Sequence, residues 1–266
     1  MKKMIILKTQ CIKYLILSLF VWAFALPVIA GGETDTIIYR EKNNSKWFVV
    51  KDGRVFKNKR YYSALYLDFG YNRLDKSNMF TGATHESASG FPKLRNSAFS
   101  SFAMYTMFGH RISGSLSIMS GLGINWVNYR FSKDVTIREI NDMATQVSIE
   151  SVIPNFSFMK KSKLAGSYLE VPLLLNLRFH RFFVAAGVVG GLNIGSHTKV
   201  VFVDTNGKKQ TYKDYDIHLA TFRYGYTVRA GFRCLSLFTN YYVSPLFAKD
   251  EGPQVYPFTM GISLRL

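Results

Sequence analysis

From residue 61 onward the chain alternates apolar residues with small or polar ones, in eight runs separated by polar segments. In the clearest run, 166–179, Leu173 and Leu175 fall on one side, and Glu170 and Asn176 fall on the other. Successive side chains of a strand point to opposite faces, so each run predicts a β-strand with one apolar face. The predicted strands are 61–71, 98–110, 115–129, 166–179, 182–198, 217–232, 235–243 and 256–266.

The connections between these runs alternate in length. Those after the first, third, fifth and seventh runs are long and polar, whereas those after the second, fourth and sixth are tight turns. Outer-membrane barrels have short periplasmic turns and long external loops, and a Greek-key sandwich would not produce this regular asymmetry. The pattern therefore predicts an all-β fold, an eight-stranded antiparallel up-and-down transmembrane β-barrel. Its longest loop, 131–163, carries a predicted short helix around 137–143.

One face of most predicted strands is large and apolar, and the other is rich in glycine and charge. An arginine facing lipid at mid-bilayer costs about 2–4 kcal/mol, so we expect the small, charged face to line the lumen. The strand charges on that face are Asp68, Glu170, Arg178, Arg223, Arg229 and Arg265. Aromatic residues near strand ends predict interfacial belts; they are Trp126, Tyr129, Phe179, Phe182, Tyr241 and Tyr256.

Four of these charges are the candidate site residues. We expect Asp68 and Glu170 to meet Arg223 and Arg229 in a buried, structural charge network that closes the lumen. Eight strands leave room only for side chains or one small ligand, which favours a plug. The alternative is a polar path or gate.

The N-terminal thirty residues predict a secretion signal. Four lysines precede an apolar run, and small residues end at Ala30, where we expect cleavage. An uncleaved anchor is the alternative. The predicted division is therefore 1–30 signal peptide, 31–60 periplasmic leader and 61–266 outer-membrane barrel domain. Within the leader, Asp52-Gly53 predicts a hairpin turn.

The mature chain is strongly basic and has one cysteine. Removing the four signal lysines lowers the net charge from +17 to +13 (17 − 4), and Cys234 remains without an intramolecular partner. A secreted barrel does not meet nucleic acid, so we expect outer-membrane lipids and lipopolysaccharide as partners of this charge. Solvated loop charges without a partner are the alternative. Further expected partners are the barrel assembly machinery during biogenesis and an envelope or secretion protein.

The segment Ser167-Tyr168-Leu169-Glu170-Val171-Pro172-Leu173-Leu174-Leu175 resembles the central strand of PorT-like outer-membrane β-barrel proteins. The glycine-rich segment 185–191 is similar to the strand that follows it in that family, and the resemblance covers about residues 60–266. It implies the barrel fold. Some members support protein secretion, but no residue of this chain carries that role over.

No motif of the chain predicts catalysis. His85-Glu86-Ser87 are adjacent in a polar loop, which rarely holds the geometry that a triad needs. We therefore predict no enzyme activity, no catalytic residue, no cofactor and no metal. The leading hypothesis is a cell-envelope protein with a structural or interaction role through its extracellular loops. The alternatives are an accessory component of secretion or transport across the outer membrane, and a lipid-active barrel enzyme.

Overall fold

A computed structural model of the protein describes residues 37–40, 47–51, 54–57, 61–79, 91–92, 94–95, 99–131, 135–140, 143–148, 156–215, 217, 219–249 and 251–266. In this part of the chain, no helix is long and apolar enough to span a membrane. The regular structure there consists of β1 (Ile37–Arg40), β2 (Trp47–Lys51), β3 (Arg54–Lys57), β4 (Tyr61–Asp75), β5 (Ser101–Arg111), β6 (Leu116–Arg130), β7 (Val135–Ile140), β8 (Met143–Ser148), β9 (Phe156–Phe179), β10 (Phe182–Asp204), β11 (Lys209–Asp214), β12 (Phe222–Phe232), β13 (Leu235–Tyr242) and β14 (Tyr256–Arg265).

Eight of these strands close into a ring. The order is β4-β5-β6-β9-β10-β12-β13-β14, and β14 pairs back with β4, from Tyr256↔Asp75 to Arg265↔Tyr66. Each pairing around the ring is antiparallel. The short connections are 112–115, 180–181 and 233–234. The predicted eight-stranded antiparallel barrel is therefore confirmed, and because closure pairs every strand on both sides, the ring has no free edge.

Several strands extend further than the sequence pattern predicts, and β9 and β10 extend furthest. β9 begins at Phe156, ahead of the predicted start at residue 166, and β10 continues to Asp204. The long polar connection that the sequence predicts between the fifth and sixth strands contains β11, which pairs with the far end of β10. Conversely, β12 begins at Phe222, so residues 217 and 219–221, which the prediction places in the sixth strand, lie outside the observed strand. Pairing between neighbouring strands sets where these strands end, and the alternation of residue types does not reveal that pairing.

The predicted helix around 137–143 is wrong. Residues Val135–Ile140 form β7, which pairs with β8 in an antiparallel hairpin from Val135↔Ser148 to Ile140↔Met143. Val135 and Ile137 are β-branched, and such residues favour extended backbone. Residues 141–142, which join the two strands, lie outside the described residues.

We call the end of the barrel with the short turns its lower end and the end with the long connections its upper end. The outer face of the ring is apolar over the lower part of the wall. Along β9 every second residue from Leu169 to Phe179 points outward, and Leu175 is 54% exposed. A strand tilted by about 40° crosses an apolar band of about 25 Å in about ten residues, so segment 169–179 matches one crossing of a membrane. Other large exposed apolar residues on this face are Val184, Val188, Tyr224, Tyr226, Val228, Leu237, Met260, Ile262 and Leu264.

The predicted aromatic belt is only partly correct. Trp126, Phe179 and Phe182 are exposed at the ends of the apolar band. Tyr129 is only 1% exposed and points into the barrel, because it follows the inward-facing Asn125 and Val127 at every second position. Tyr241 and Tyr256 are buried as well, and the Tyr241 hydroxyl accepts a hydrogen bond from the Met79 amide at 2.6 Å.

The interior contains two apolar clusters at different heights. The lower cluster includes Tyr66, Tyr105, Met107, Met119 and Leu174. The upper cluster, at the end with the long connections, unites strand residues with residues of those connections; it contains Phe91, Val127, Tyr129, Phe131, Ile137, Leu164, Tyr168, Ile217, Leu219, Leu246, Phe247 and Val255. Between them lies a layer of buried polar and charged side chains.

Some predictions on the N-terminal part and the first loop lie outside the described residues. They are the signal peptide 1–30, cleavage after Ala30, and His85-Glu86-Ser87. The predicted turn at Asp52-Gly53 also lies outside the described residues, but the strands on either side of it, β2 and β3, pair through Lys51↔Arg54, and β1 adds a third strand. The periplasmic position of 31–60 stays a prediction.

Candidate functional site

Glu170 is the centre of the polar layer. It lies on β9, points into the lumen and is fully buried. Its Oε1 accepts hydrogen bonds from Arg223 Nη2 at 2.6 Å, from Arg223 Nε at 3.0 Å and from the Tyr242 hydroxyl at 2.6 Å. Its Oε2 accepts from the Tyr105 hydroxyl and from Asn125 Nδ2, the latter at 3.2 Å. Five donated bonds from four side chains hold this carboxylate in one orientation.

Gly191 explains why Glu170 and Arg223 meet. On β10, Gly191 pairs with Glu170 of β9 on one side and with Arg223 of β12 on the other. A methyl group at Gly191 would lie 3.1 Å from Glu170 Cγ and 3.2 Å from Arg223 Cγ. The absence of a side chain there lets the two charged groups approach each other over the backbone.

Two aromatic rings enclose the Arg223 guanidinium. Its central carbon lies 3.3 Å from the centroid of the Tyr168 ring and 4.2 Å from that of Tyr242. A desolvated guanidinium stacked on an aromatic face gains a cation–π attraction in addition to its ion pair. The ion pair with Glu170 and the two rings on the faces of the guanidinium therefore hold Arg223 in place and leave it little freedom to move.

A second buried ion pair lies lower in the barrel. Arg229 Nη1 donates to Asp68 Oδ1 at 2.9 Å, and Arg229 Nη2 donates to Asp68 Oδ2 at 2.7 Å. This is the bidentate geometry that makes arginine–carboxylate pairs strong and specific. Arg229 Nη1 also donates to Ser263 Oγ at 3.3 Å. The Arg229 guanidinium lies 5.4 Å from the ring centroid of Phe238.

Smaller polar side chains fill the end of the lumen with the short turns. The Tyr62 hydroxyl and Ser117 Oγ are 2.9 Å apart, and Asn176 Nδ2 donates to the same Ser117 oxygen at 3.0 Å. The Arg178 guanidinium lies 6.0 Å from the Tyr62 ring centroid. Side chains thus occupy the lumen at this end, at the two ion pairs and at the upper apolar cluster.

The structure brings together all four site residues that the sequence analysis names, as two separate pairs. Glu170 contacts Arg223 and Asp68 contacts Arg229, and no salt bridge between the described residues joins one pair to the other. Tyr105 contacts both sites, because its hydroxyl donates to Glu170 and its ring lies 5.5 Å from the Arg229 guanidinium. Arg178 and Arg265 are only partly buried and lie near the short turns.

Sequence reasoning missed a second charged feature, on the outer surface above the apolar band. Four cations occupy directly paired positions on four neighbouring strands: Arg130↔Lys163, Lys163↔Lys199 and Lys199↔Lys213. We call these residues the cationic row. Lys163 and Lys213 fall in segments that the sequence analysis assigns to loops. Lys199 lies just beyond the predicted end of its strand, so no pattern joins it to the others.

A register shift in β10 puts Lys199 on the outer face. The register shift lies between Asn193 and Gly195. Below it, even-numbered residues such as Val184 and Val188 face outward. Above it, odd-numbered residues do, because His197 pairs with Ala165 and Lys199 pairs with Lys163. Beyond a β-bulge, the side chains of a strand face the opposite side of the sheet, and the alternation of residue types alone does not locate the bulge.

Burial and neighbouring cations lower the pKa of two groups on this surface, Lys163 and His197. Partial burial and the neighbouring charges, above all those of Lys161 and Lys199, lower the pKa of Lys163 to about 8. Burial and then Lys163, Lys213 and Lys199 lower the pKa of His197. The Lys163 ammonium donates to Asn128 Oδ1. Among the described residues, no acidic side chain forms an ion pair with any member of the cationic row.

The described residues contain no group of three or more histidine, cysteine or acidic side chains that could hold a metal ion. In the lumen, each buried carboxylate is already bonded to an arginine, which leaves it unsuited to accept a substrate proton. The geometry therefore favours a structural interior, and the open surface lies outside, where the long strands extend.

The closed strand ring, the apolar outer band and the buried polar interior define an outer-membrane β-barrel. Residues 57–246, well over half of the chain, match the family model described as outer membrane protein beta-barrel domain. The chain belongs to this family and is an outer-membrane protein. No curated protein matches its sequence.

Solved structures with a similar course of the chain include Ail, the attachment invasion locus protein of Yersinia pestis. Its sequence is 13% identical to this chain and the TM-score is 0.30. The comparison covers 77% of this chain and 97% of that chain. The same protein in complex with the heparin analogue sucrose octasulfate is 12% identical over the same shares, with a TM-score of 0.32. Outer-membrane expressed OmpT of Vibrio cholerae is 10% identical, with 85% and 86% covered and a TM-score of 0.14. The closed strand ring and the match to the family model carry the family membership of the chain.

Proposed function

We propose that this protein is a closed, non-enzymatic barrel that serves as a membrane-integral interaction protein through its external surface. The observation that carries the proposal is the filled lumen. Both buried arginines are paired with carboxylates, and the upper apolar cluster lies over them at the end with the long connections. A lumen filled in this way supports a role in which partners meet the outside of the molecule.

The external surface is well suited to interaction because it is structured. β9 and β10 continue beyond the apolar band, β11 widens the sheet beside them, and the β7–β8 hairpin contributes Ile137 to the upper cluster. Paired strands offer a partner a surface of fixed shape, which lowers the ordering cost of binding compared with flexible loops.

Planar-bilayer recording tests the closed lumen. Purified protein should give no stable single-channel currents, because Tyr168, Arg223 and Tyr242 fill the lumen at the height of Glu170. The Tyr168→Ala/Tyr242→Ala double variant, which removes both rings, serves as the positive control and should give intermittent currents. Large, stable currents from the unaltered protein would contradict the proposal and favour a pore.

The resemblance to PorT-like proteins suggests the finer alternative, an accessory role in secretion. The resemblance is carried by the segment 167–175 and by the glycine-rich segment 185–191, and no residue of either carries the secretion role itself. A stoichiometric envelope partner that co-purifies from detergent extracts would favour this role. A lipid-active enzyme is the remaining alternative, and an unchanged lipid A profile in a deletion strain would exclude that activity.

A further inference from the structure

We propose that the cationic row binds the clustered phosphate groups of a glycolipid headgroup in the outer leaflet of the surrounding membrane. The inference rests on the proposed function, since it names a partner for the external surface. The row consists of Arg130, Lys163, Lys199 and Lys213, and its position, its charge and its geometry each support this ligand.

The position of the row matches a headgroup layer. Trp126 lies at the upper limit of the apolar band, and Arg130 lies two outward positions above it on β6. Four residues of a tilted strand correspond to a rise of about 10 Å. The polar interfacial layer of a bilayer begins directly above the hydrocarbon core, so the row faces the region of phosphate and sugar groups.

The charge of the row requires a counter-charge. Like charges at directly opposed positions of neighbouring strands destabilise a sheet, and here three such pairs follow one another. Lys161 adds a further positive charge to the same surface. An anion with several charges would relieve the repulsion and accept hydrogen bonds from the lysine ammonium groups.

The geometry of the row favours a multivalent ligand fixed in the membrane. Three interstrand spacings separate the strands of Arg130 and Lys213, which corresponds to about 14 Å. One phosphate cannot span this distance, whereas a headgroup with two or more phosphates can contact several cations at once. A lipid held in the adjacent leaflet meets the row at a high effective concentration, which a soluble anion does not.

Native mass spectrometry of the detergent-solubilised full chain tests the proposal with three probes: diphosphoryl lipid A, its fully dephosphorylated form and inorganic triphosphate. The protein should bind the diphosphoryl lipid at least about tenfold more tightly than the dephosphorylated lipid, since surface lysines each contribute measurably to anionic headgroup binding. In the Lys163→Gln/Lys199→Gln variant, affinity for the diphosphoryl lipid should fall about thirtyfold.

The matched control is the Lys208→Gln/Lys209→Gln variant, which removes two exposed lysines near the β10–β11 turn and leaves the row intact. It should change affinity by less than about twofold. The Lys163→Arg/Lys199→Arg variant should keep the affinity, because it preserves the charge. Heat-modifiability in gels verifies that each variant has folded.

Three results would overturn the proposal. The first is equal affinity for the phosphorylated and dephosphorylated lipids, and the second is an equal loss in the Lys208/Lys209 control. The third is tighter binding of inorganic triphosphate than of the lipid, which would assign the row to soluble polyanions. None of these results bears on the closed lumen, and channel currents would contradict the proposed function without affecting lipid binding.

Discussion

The barrel wall has opposite polarity in its lower and upper parts, although the same strands build both. In the lower part of β9, Leu173 and Leu175 face outward and Glu170 and Asn176 face inward. In the upper part, Lys161 and Lys163 face outward and Leu164 is fully buried inside. The surroundings explain the difference: the hydrocarbon core of the membrane surrounds the lower wall, whereas polar headgroups and water surround the upper one. Apolar side chains therefore lie outside in the first and inside in the second.

This comparison shows that the two halves are stabilised in different ways. The lower interior depends on complete pairing of buried charges, since a cation left alone there has no water to solvate it. The upper interior depends on apolar packing around residues such as Tyr129 and Phe247, as in a water-soluble protein. Substitutions that are tolerated in one half should therefore be harmful in the other.

The largest effect is expected from Glu170→Ala. The substitution leaves Arg223 buried without its carboxylate and removes the acceptor for the Tyr105 and Tyr242 hydroxyls. Breaking a buried pair on one side costs about 3–5 kcal/mol, so the heat-modifiability midpoint should fall steeply. Asp75→Ala is the control, since the Asp75–Arg73 pair lies on the surface and its loss should cost at most about 1 kcal/mol.

A double variant sharpens this prediction. Glu170→Gln combined with Arg223→Gln removes both charges and should recover part of the lost stability, because neither partner is left ionised. Two single substitutions whose effects simply add would show that the two side chains are not coupled, contrary to the observed ion pair.

An intermediate effect is expected when the same residue is placed on the outer face at two heights. Leu175→Arg puts a charge against lipid in the middle of the apolar band, which should cost about 2–4 kcal/mol in unfolding from bilayers. Ser167→Arg lies on the same strand and the same face, opposite Trp126, and should cost at most about 1 kcal/mol. Equal costs at both positions would contradict the placement of the membrane.

Sequence alternation predicts the ring of strands and the face that each lumen charge occupies. It assigns Glu170 and Arg223 to the interior but cannot pair them, because their heights depend on the register of β9 and β12 against β10. Gly191 is the one local signal of that pairing. The cationic row escapes prediction for a related reason: a bulge in β10 reverses the facing of Lys199, and the position of that bulge depends on the pairing of β10 with β9.

The smallest effect concerns pH. Lys163 has a pKa lowered to about 8, so it is protonated below that pH and loses its charge as pH rises through it. Affinity for diphosphoryl lipid A should therefore fall about fivefold between pH 7.5 and 9.5, with the bound anion shifting the midpoint upward. The charged and titratable groups around it are Arg130, Lys161, His197, Lys199 and Lys213.

The control for this prediction is Lys163→Arg, whose charge does not change in that range. Its binding should stay nearly constant with pH. A fall of equal size in the variant would assign the pH dependence to another group, and His197 is unsuited to that role because its lowered pKa keeps it neutral throughout.

The reversal of polarity along β9 is tested most directly by spin labels at Leu175 and Lys163, introduced one at a time as cysteines in a Cys11→Ser/Cys234→Ser background. In reconstituted bilayers, electron paramagnetic resonance should find the label at 175 accessible to oxygen and shielded from a water-soluble nickel chelate. The label at 163 should show the opposite preference. Labels that both report lipid, or both report water, would contradict the account.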